Sequence, residues 1–175
     1  LACRRPLKDL QLDYLDLYLM HWPTAFRGGD DKFPRHPETG RVMYGKPVKD
    51  KETGQETGKV ASPVHFVETY EAMERLVRKG LVRSIGVSNF NESQIADVLQ
   101  MATFAPQVLQ IENHPYLPQK DLVAFARARN IVVQAYSPLG SPGRPPAWDA
   151  GRYDVPPNLL DHEGIAILRD VYGKT

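Results

Sequence analysis

The hydrophobic pattern of this chain breaks into short apolar runs, each of which stops abruptly at a polar cluster. Residues 15–20 lead into His21-Trp22-Pro23, and residues 84–87 into Ser88-Asn89-Phe90. Residues 108–111 lead into Glu112-Asn113-His114-Pro115-Tyr116, and residues 131–135 into Tyr136-Ser137-Pro138-Leu139-Gly140. Continuous apolar runs of this length predict parallel strands covered on both faces. The first strand is expected over residues 12–20, with Asp13 and Asp16 keeping its beginning near the surface. Stretches of helical period separate the later runs, and strands alternating with helices predict βα units. In a βα barrel the chemistry sits on the loops that follow the strands. Every polar cluster falls in such a loop.

The helices follow from the same reading. Residues 1–10 predict the end of a helix, with Leu7 and Leu10 inward and Pro6 in the first turn. Over residues 63–79, Phe66, Tyr70, Met73 and Val77 form one apolar stripe, with Pro63 in the first turn and Gly80 at the C-terminal end. Asn91 is a predicted N-cap with Gln94 as its capping partner, ahead of Ile95, Val98 and Leu99. Residues 118–129 predict a third helix with Leu122, Phe125 and Ala126 inward, closed by Asn130 in the left-handed conformation. Asp161 is the expected cap of a last helix that carries Ile165, Leu168 and Tyr172 and ends at Gly173. Residues 27–62 and 141–158 read as loops. The first is a surface insertion with room for a small hairpin, and its Glu-Thr-Gly triplets at 38–40, 52–54 and 56–58 are turn chemistry. A loop that long also suits a substrate-facing lid.

Composition narrows the classes. The 175 residues are 42% hydrophobic and 25% charged, which fits one soluble globular domain over residues 1–175. A net charge of +1 gives no field for recruiting nucleic acid or a membrane surface. Cys3 is the one cysteine, so no internal disulfide forms, and a reducing compartment fits. No apolar stretch reaches transmembrane length. His21, His36, His65, His114 and His162 lack metal-ligand spacing, and His114 reads as a structural loop residue. Residues 54–60 imitate a phosphate loop but are one residue short and end in Val60. Residues 86–90 lack the second glycine of a nucleophile elbow.

Taken in order, four segments resemble the aldo-keto reductases: LDYLDLYLMHWP at 12–23, SIGVSNF at 84–90, QIENHPY at 110–116 and AYSPLGS at 135–141. The resemblance implies an α/β fold, part of a (β/α)8 barrel from about the fourth to the seventh βα unit. It implies NADPH-dependent reduction of aldehydes or ketones to alcohols, with a small carbonyl substrate and no metal. His21 would orient the substrate carbonyl, and Trp22 would line an apolar substrate pocket. Ser88, Asn89 and Gln110 would meet the nicotinamide carboxamide, whose donors and acceptors amide and hydroxyl side chains can match. Tyr136 would stack on the nicotinamide, and Ser137, Leu139 and Ser141 would cover the cofactor pyrophosphate. The likeness also implies a cytoplasmic protein, monomeric or weakly dimeric at full length. A complete barrel takes about 250 residues, so the chain reads as an internal piece of one. The family's Asp, its proton-donating Tyr, the Lys that tunes that Tyr, and its segment for the cofactor 2′-phosphate have no counterpart here. This chain alone is therefore expected to be inactive. The alternative is a catalytically dead nucleotide-binding or regulatory module of the same fold.

Overall fold

A computed structural model describes residues 3–25, 46–49, 56–61, 64–142 and 158–174, with the two segments 46–49 and 56–61 described as backbone. The chain runs α1 (Arg4–Leu10), β1 (Leu15–Met20), β2 (Lys46–Lys49), β3 (Glu56–Ala61), α2 (Phe66–Arg78), β4 (Val82–Ser88), α3 (Glu92–Met101), β5 (Val108–Glu112), α4 (Lys120–Arg127), β6 (Val132–Tyr136) and α5 (Glu163–Tyr172). A 3-10 turn, Leu159–Asp161, precedes α5. Strands β1, β4, β5 and β6 form one sheet in that order, with every pairing parallel. Three successive βα units therefore stand side by side, as the apolar runs predict.

Register decides which side chains face where. Val87 pairs with Leu109 and Met20, and Leu109 pairs with Val133. These belong to the face covered by helices, where Ile85, Val87, Leu109 and Ile111 are buried with Tyr70, Met73 and Leu76 of α2 and Ile95 and Val98 of α3. Each such side chain contributes about 1.5–3 kcal/mol on burial. The opposite face holds Leu17, Leu19, Gly86, Ser88, Val108, Gln110, Val132, Gln134 and Tyr136, by the alternation of strand side chains. It is much more open, and Val132 is 64% exposed. In a closed barrel this face is the packed interior. Gly86 sits where a β-carbon would collide with the Val108 carbonyl oxygen and come within 2.7 Å of Leu19 Cδ2.

The helices start as their sequences dictate, with some corrections. Asn91 and Gln94 form the expected capping box of α3. Helix α2 begins at Phe66 behind a His65–Glu68 capping box, and Pro63 lies outside the described residues. His162 rather than Asp161 caps α5, its Nδ1 accepting from the Gly164 N–H at 3.0 Å. Asp161 instead ends the 3-10 turn. Asn130 (φ 58°) and Gly173 (φ 58°) take the left-handed conformation expected of helix ends. In α1, Leu7 is buried but Leu10 is 60% exposed, because the helix ends there at Gln11. Leu168 and Tyr172 of α5 are exposed as well. The first strand begins at Leu15, three residues later than its apolar pattern suggests. Within residues 27–62, β2 and β3 pair antiparallel as a small hairpin, and the triplet 56–58 lies in β3 rather than in a turn.

Candidate active site

The polar residues that follow β1, β4, β5 and β6 meet at one end of the sheet because the strands are parallel. His21 follows Met20, the partner of Val87, and so stands level with Ser88. Ser88 pairs with Gln110, and Gln110 with Gln134. Beyond β4 the backbone turns sharply, with Asn89 at φ 61°, a left-handed conformation that asparagine tolerates better than most side chains. The turn is held by the Asn89 N–H, which donates to the Gln110 carbonyl at 3.0 Å.

Asn89 ties the mouth together. Its Nδ2 donates to the His21 carbonyl oxygen at 2.8 Å and to Ser88 Oγ at 3.2 Å. Its Oδ1 accepts from the Tyr136 hydroxyl at 2.8 Å. Tyr136 leaves the end of β6 and reaches Asn89 at the end of β4, so its side chain spans the end of β5, which lies between them. Burial, then the nearby Glu112 carboxylate, push the Tyr136 hydroxyl above its ordinary pKa, outweighing a backbone hydrogen bond at Glu112. The hydroxyl is thus neutral at physiological pH and donates to Asn89.

His21 and Trp22 are exposed at the same edge, with ring centroids 6.1 Å apart. A groove of about 300 Å³ opens beside them, bounded in part by Trp22, Asn89, Phe90, Leu117 and Tyr136. A larger and shallower groove of about 580 Å³ lies between the first turns of α3 and α4 and contains none of the expected site residues. The lining of that groove includes Asn91, whose side chain caps α3, and Gln119, whose side chain donates to the Glu112 carbonyl, and we assign it no ligand. Ser88 is buried, whereas Gln110 is partly open, its Nε2 donating to Gln134 Oε1 at 2.9 Å.

After β6 the chain curls into a tight turn. The Gly140 N–H donates to the Ser137 carbonyl at 2.8 Å, and Ser141 Oγ donates to Ser137 Oγ at 2.7 Å. Ser137 (φ 50°), Gly140 (φ 73°) and Ser141 (φ 55°) are all left-handed. Leu159 of the 3-10 turn backs this curl, 3.2 Å from where a Gly140 β-carbon would lie, while Leu139 points outward, 56% exposed. His114, within its expected loop, is bridged to Leu117 and has Nε2 3.3 Å from Glu112 Oε1.

The structure thus brings His21, Trp22, Ser88, Asn89, Gln110 and Tyr136 to one end of the sheet, with Ser137, Leu139 and Ser141 on the adjoining turn. Sequence reasoning missed Gln134, which holds Gln110. A polar residue interrupting the apolar run at 131–135 was its only signal. A nicotinamide carboxamide fits what is present. Gln110 Oε1 has no partner among the described residues, Ser88 offers a hydroxyl, and Asn89 Oδ1 keeps one lone pair. No cluster of three or more metal-ligating side chains occurs among the described residues.

The profile of the Aldo/keto reductase family matches residues 2–157. Aldo-keto reductase family 1 member A1 of Xenopus tropicalis is 45% identical over 99% of this chain, which covers 46% of that protein. The Gallus gallus protein of that name is 47% identical, again with 99% of this chain and 46% of the relative covered. Among solved structures, the aldose reductase of Schistosoma japonicum superposes with a TM-score of 0.74 at 35% identity, over 99% of this chain and 46% of its own. That of Giardia lamblia gives 0.74 at 36% identity, over 98% and 48%. The chain spans about half the length of the curated relatives it matches. On the family profile, the relatives and the parallel sheet together, the chain belongs to the aldo/keto reductase family.

Proposed function

We propose that the protein to which this chain belongs reduces aldehydes or ketones to alcohols with NADPH, and that the strand mouth described above is its active site. One observation carries the reading: the Asn89 amide, which joins the His21 backbone, Ser88 and the Tyr136 hydroxyl in one hydrogen-bonded group. NADPH, when bound, supplies the hydride. The chain's own residues bind and orient. Ser88, Gln110 and the free lone pair of Asn89 hold the carboxamide, which fixes the face that the nicotinamide presents, as proximity catalysis requires. The Tyr136 ring, braced by its hydroxyl, provides the stacking surface. The His21 imidazole donates to the substrate carbonyl oxygen, and Trp22 walls off an apolar approach. The turn at Ser137, Leu139 and Ser141 lies against the pyrophosphate. A reducing cytoplasmic setting suits the lone buried thiol of Cys3, and no helix among the described residues is long and apolar enough to cross a membrane.

The test is NADPH oxidation by the whole protein, as its gene encodes it, with an aromatic aldehyde. We expect turnover, and we expect His21→Ala to lower kcat/KM by about 10²-fold, the scale of a lost hydrogen bond to the reacting carbonyl oxygen. Undiminished activity in His21→Ala would remove His21 from the site. NADPH binding without turnover of any aldehyde or ketone would instead identify a nucleotide-binding module.

A further inference from the structure

Ser88, Gln110 and Gln134 make a row across three adjacent strands, each the register partner of the next. All three lie on the face away from the helices. The Gln110 amide donates through Nε2 to Gln134 Oε1 at 2.9 Å, and its own Oε1 has no partner among the described residues.

The terminal amide of a glutamine rotates over a broad, nearly two-fold potential, so a free Gln presents oxygen or nitrogen with little preference. The two ends do opposite chemistry: one only accepts, the other only donates. A neighbour that accepts from Nε2 removes that ambiguity and leaves Oε1 for the ligand. The reverse arrangement, with Gln134 donating to Gln110 Oε1, would present an N–H instead. The structure has the first arrangement.

Resting on the reading that Gln110 meets the nicotinamide, we propose that Gln134 is a positioning residue that sets the amide of Gln110 with its oxygen toward the cofactor. The site then selects a cofactor ring whose substituent donates an N–H, as a carboxamide does and a methyl ketone does not. Gln134 need not touch the cofactor. A merely decorative Gln–Gln pair on the sheet would leave that selection unchanged.

The experiment compares the binding of NADPH with that of its reduced 3-acetylpyridine analogue, in which a methyl ketone replaces the carboxamide. The whole protein, as its gene encodes it, is titrated by quenching of tryptophan fluorescence, so no turnover is needed. Gln134→Met keeps the length of the side chain and loses the acceptor; Gln134→Glu keeps the acceptor and cannot donate. We expect Gln134→Met to narrow the NADPH preference by about three- to tenfold, the scale of one oriented hydrogen bond. Gln134→Glu should retain the preference, and Gln110→Ala should narrow it at least as far as Gln134→Met. If Gln110→Ala narrows the preference and Gln134→Met does not, the positioning role is overturned and the Gln110 reading survives. Narrowing by Gln134→Glu equal to that of Gln134→Met also overturns it. If Gln110→Ala has no effect, the reading beneath the proposal fails, and the proposal fails with it.

Discussion

Glu74 is 3% exposed although it is a carboxylate, and its place four residues after Tyr70 and three before Val77 sets it beside the apolar stripe of α2. Its Oε1 accepts from the N–H groups of Thr103 at 2.6 Å and Phe104 at 2.8 Å, and its Oε2 meets Arg78 at 3.3 Å. Arg78 also donates to Thr103 Oγ1 and lies over the Phe104 ring, while the Tyr70 hydroxyl donates to the Phe104 carbonyl. The turn leading into β5 is thus clamped to α2 through Glu74, with Arg78 and Tyr70 beside it. Removing one partner from a buried charged group leaves backbone donors unsatisfied, at about 1–3 kcal/mol each. Glu74→Ala should therefore lower the unfolding free energy by about 3 kcal/mol in urea titration, and Glu74→Gln by about half that. A loss under about 0.5 kcal/mol in the alanine variant would show that the clamp is not needed. Most residues of the candidate site were legible in the sequence because they follow an apolar run, whereas Gln110 lies inside the run 108–111 and was marked by the resemblance of the segment at 110–116. Glu74 was not, since a charge at a helical position reads as a solvent-facing one until the turn that needs it is located. Gln134 was hidden for a related reason: its partner lies on another strand.

At the level of elements, the order and type of the four parallel strands and of the helices between them could be read from periodicity, because burial on both faces leaves a continuous apolar signature. Ends were harder. The late start of β1 at Leu15 depends on its pairing with Val82, which is a contact distant in sequence. Two helices use a histidine as N-cap, a residue outside the usual capping set. The hairpin was anticipated only as room for one, and its triplet at 56–58 entered a strand because antiparallel pairing overrode the local turn preference. Strand β4 carries a tight constraint at Gly86. Its missing β-carbon lets β4 lie against the Val108 carbonyl and the Leu19 side chain. Gly86→Ala should destabilise the protein by about 1–3 kcal/mol, as overpacking does. Thermal melting of the two proteins side by side checks this, and an unchanged midpoint would mean that β5 yields without strain.

On the scale of the whole molecule, β1 and β6 are the outer strands of the sheet among the described residues, and on the face away from the helices Leu17, Leu19 and Val108 are only partly buried and Val132 is 64% exposed. Unpaired strand edges beside an apolar face favour association. The 175-residue chain, expressed by itself, is expected to self-associate in sedimentation measurements and to bind NADPH weakly or not at all. The contacts it does encode would lack the preorganisation that converts contacts into affinity. Supplying the remaining strands of a family barrel, in cis or in trans, should restore both solubility and nucleotide binding. A stable monomer that binds NADPH at about micromolar affinity would refute this and favour a self-sufficient nucleotide-binding module. Barrel type was legible from four motifs in order. The openness of this face was not, because strand alternation tells which side chains share a face and not what lies against it.

The knot at Asn89 limits which residue the position can hold. Position 89 needs a side chain that accepts φ 61°, offers two N–H donors to His21 and Ser88, and offers an oxygen to Tyr136. Glycine meets the backbone demand and supplies no amide; aspartate supplies the oxygen and no donor; glutamine supplies the amide one carbon too far out. Of the twenty residue types, asparagine alone satisfies the whole list. Any other residue at this position would therefore unseat contacts at the ends of three strands at once.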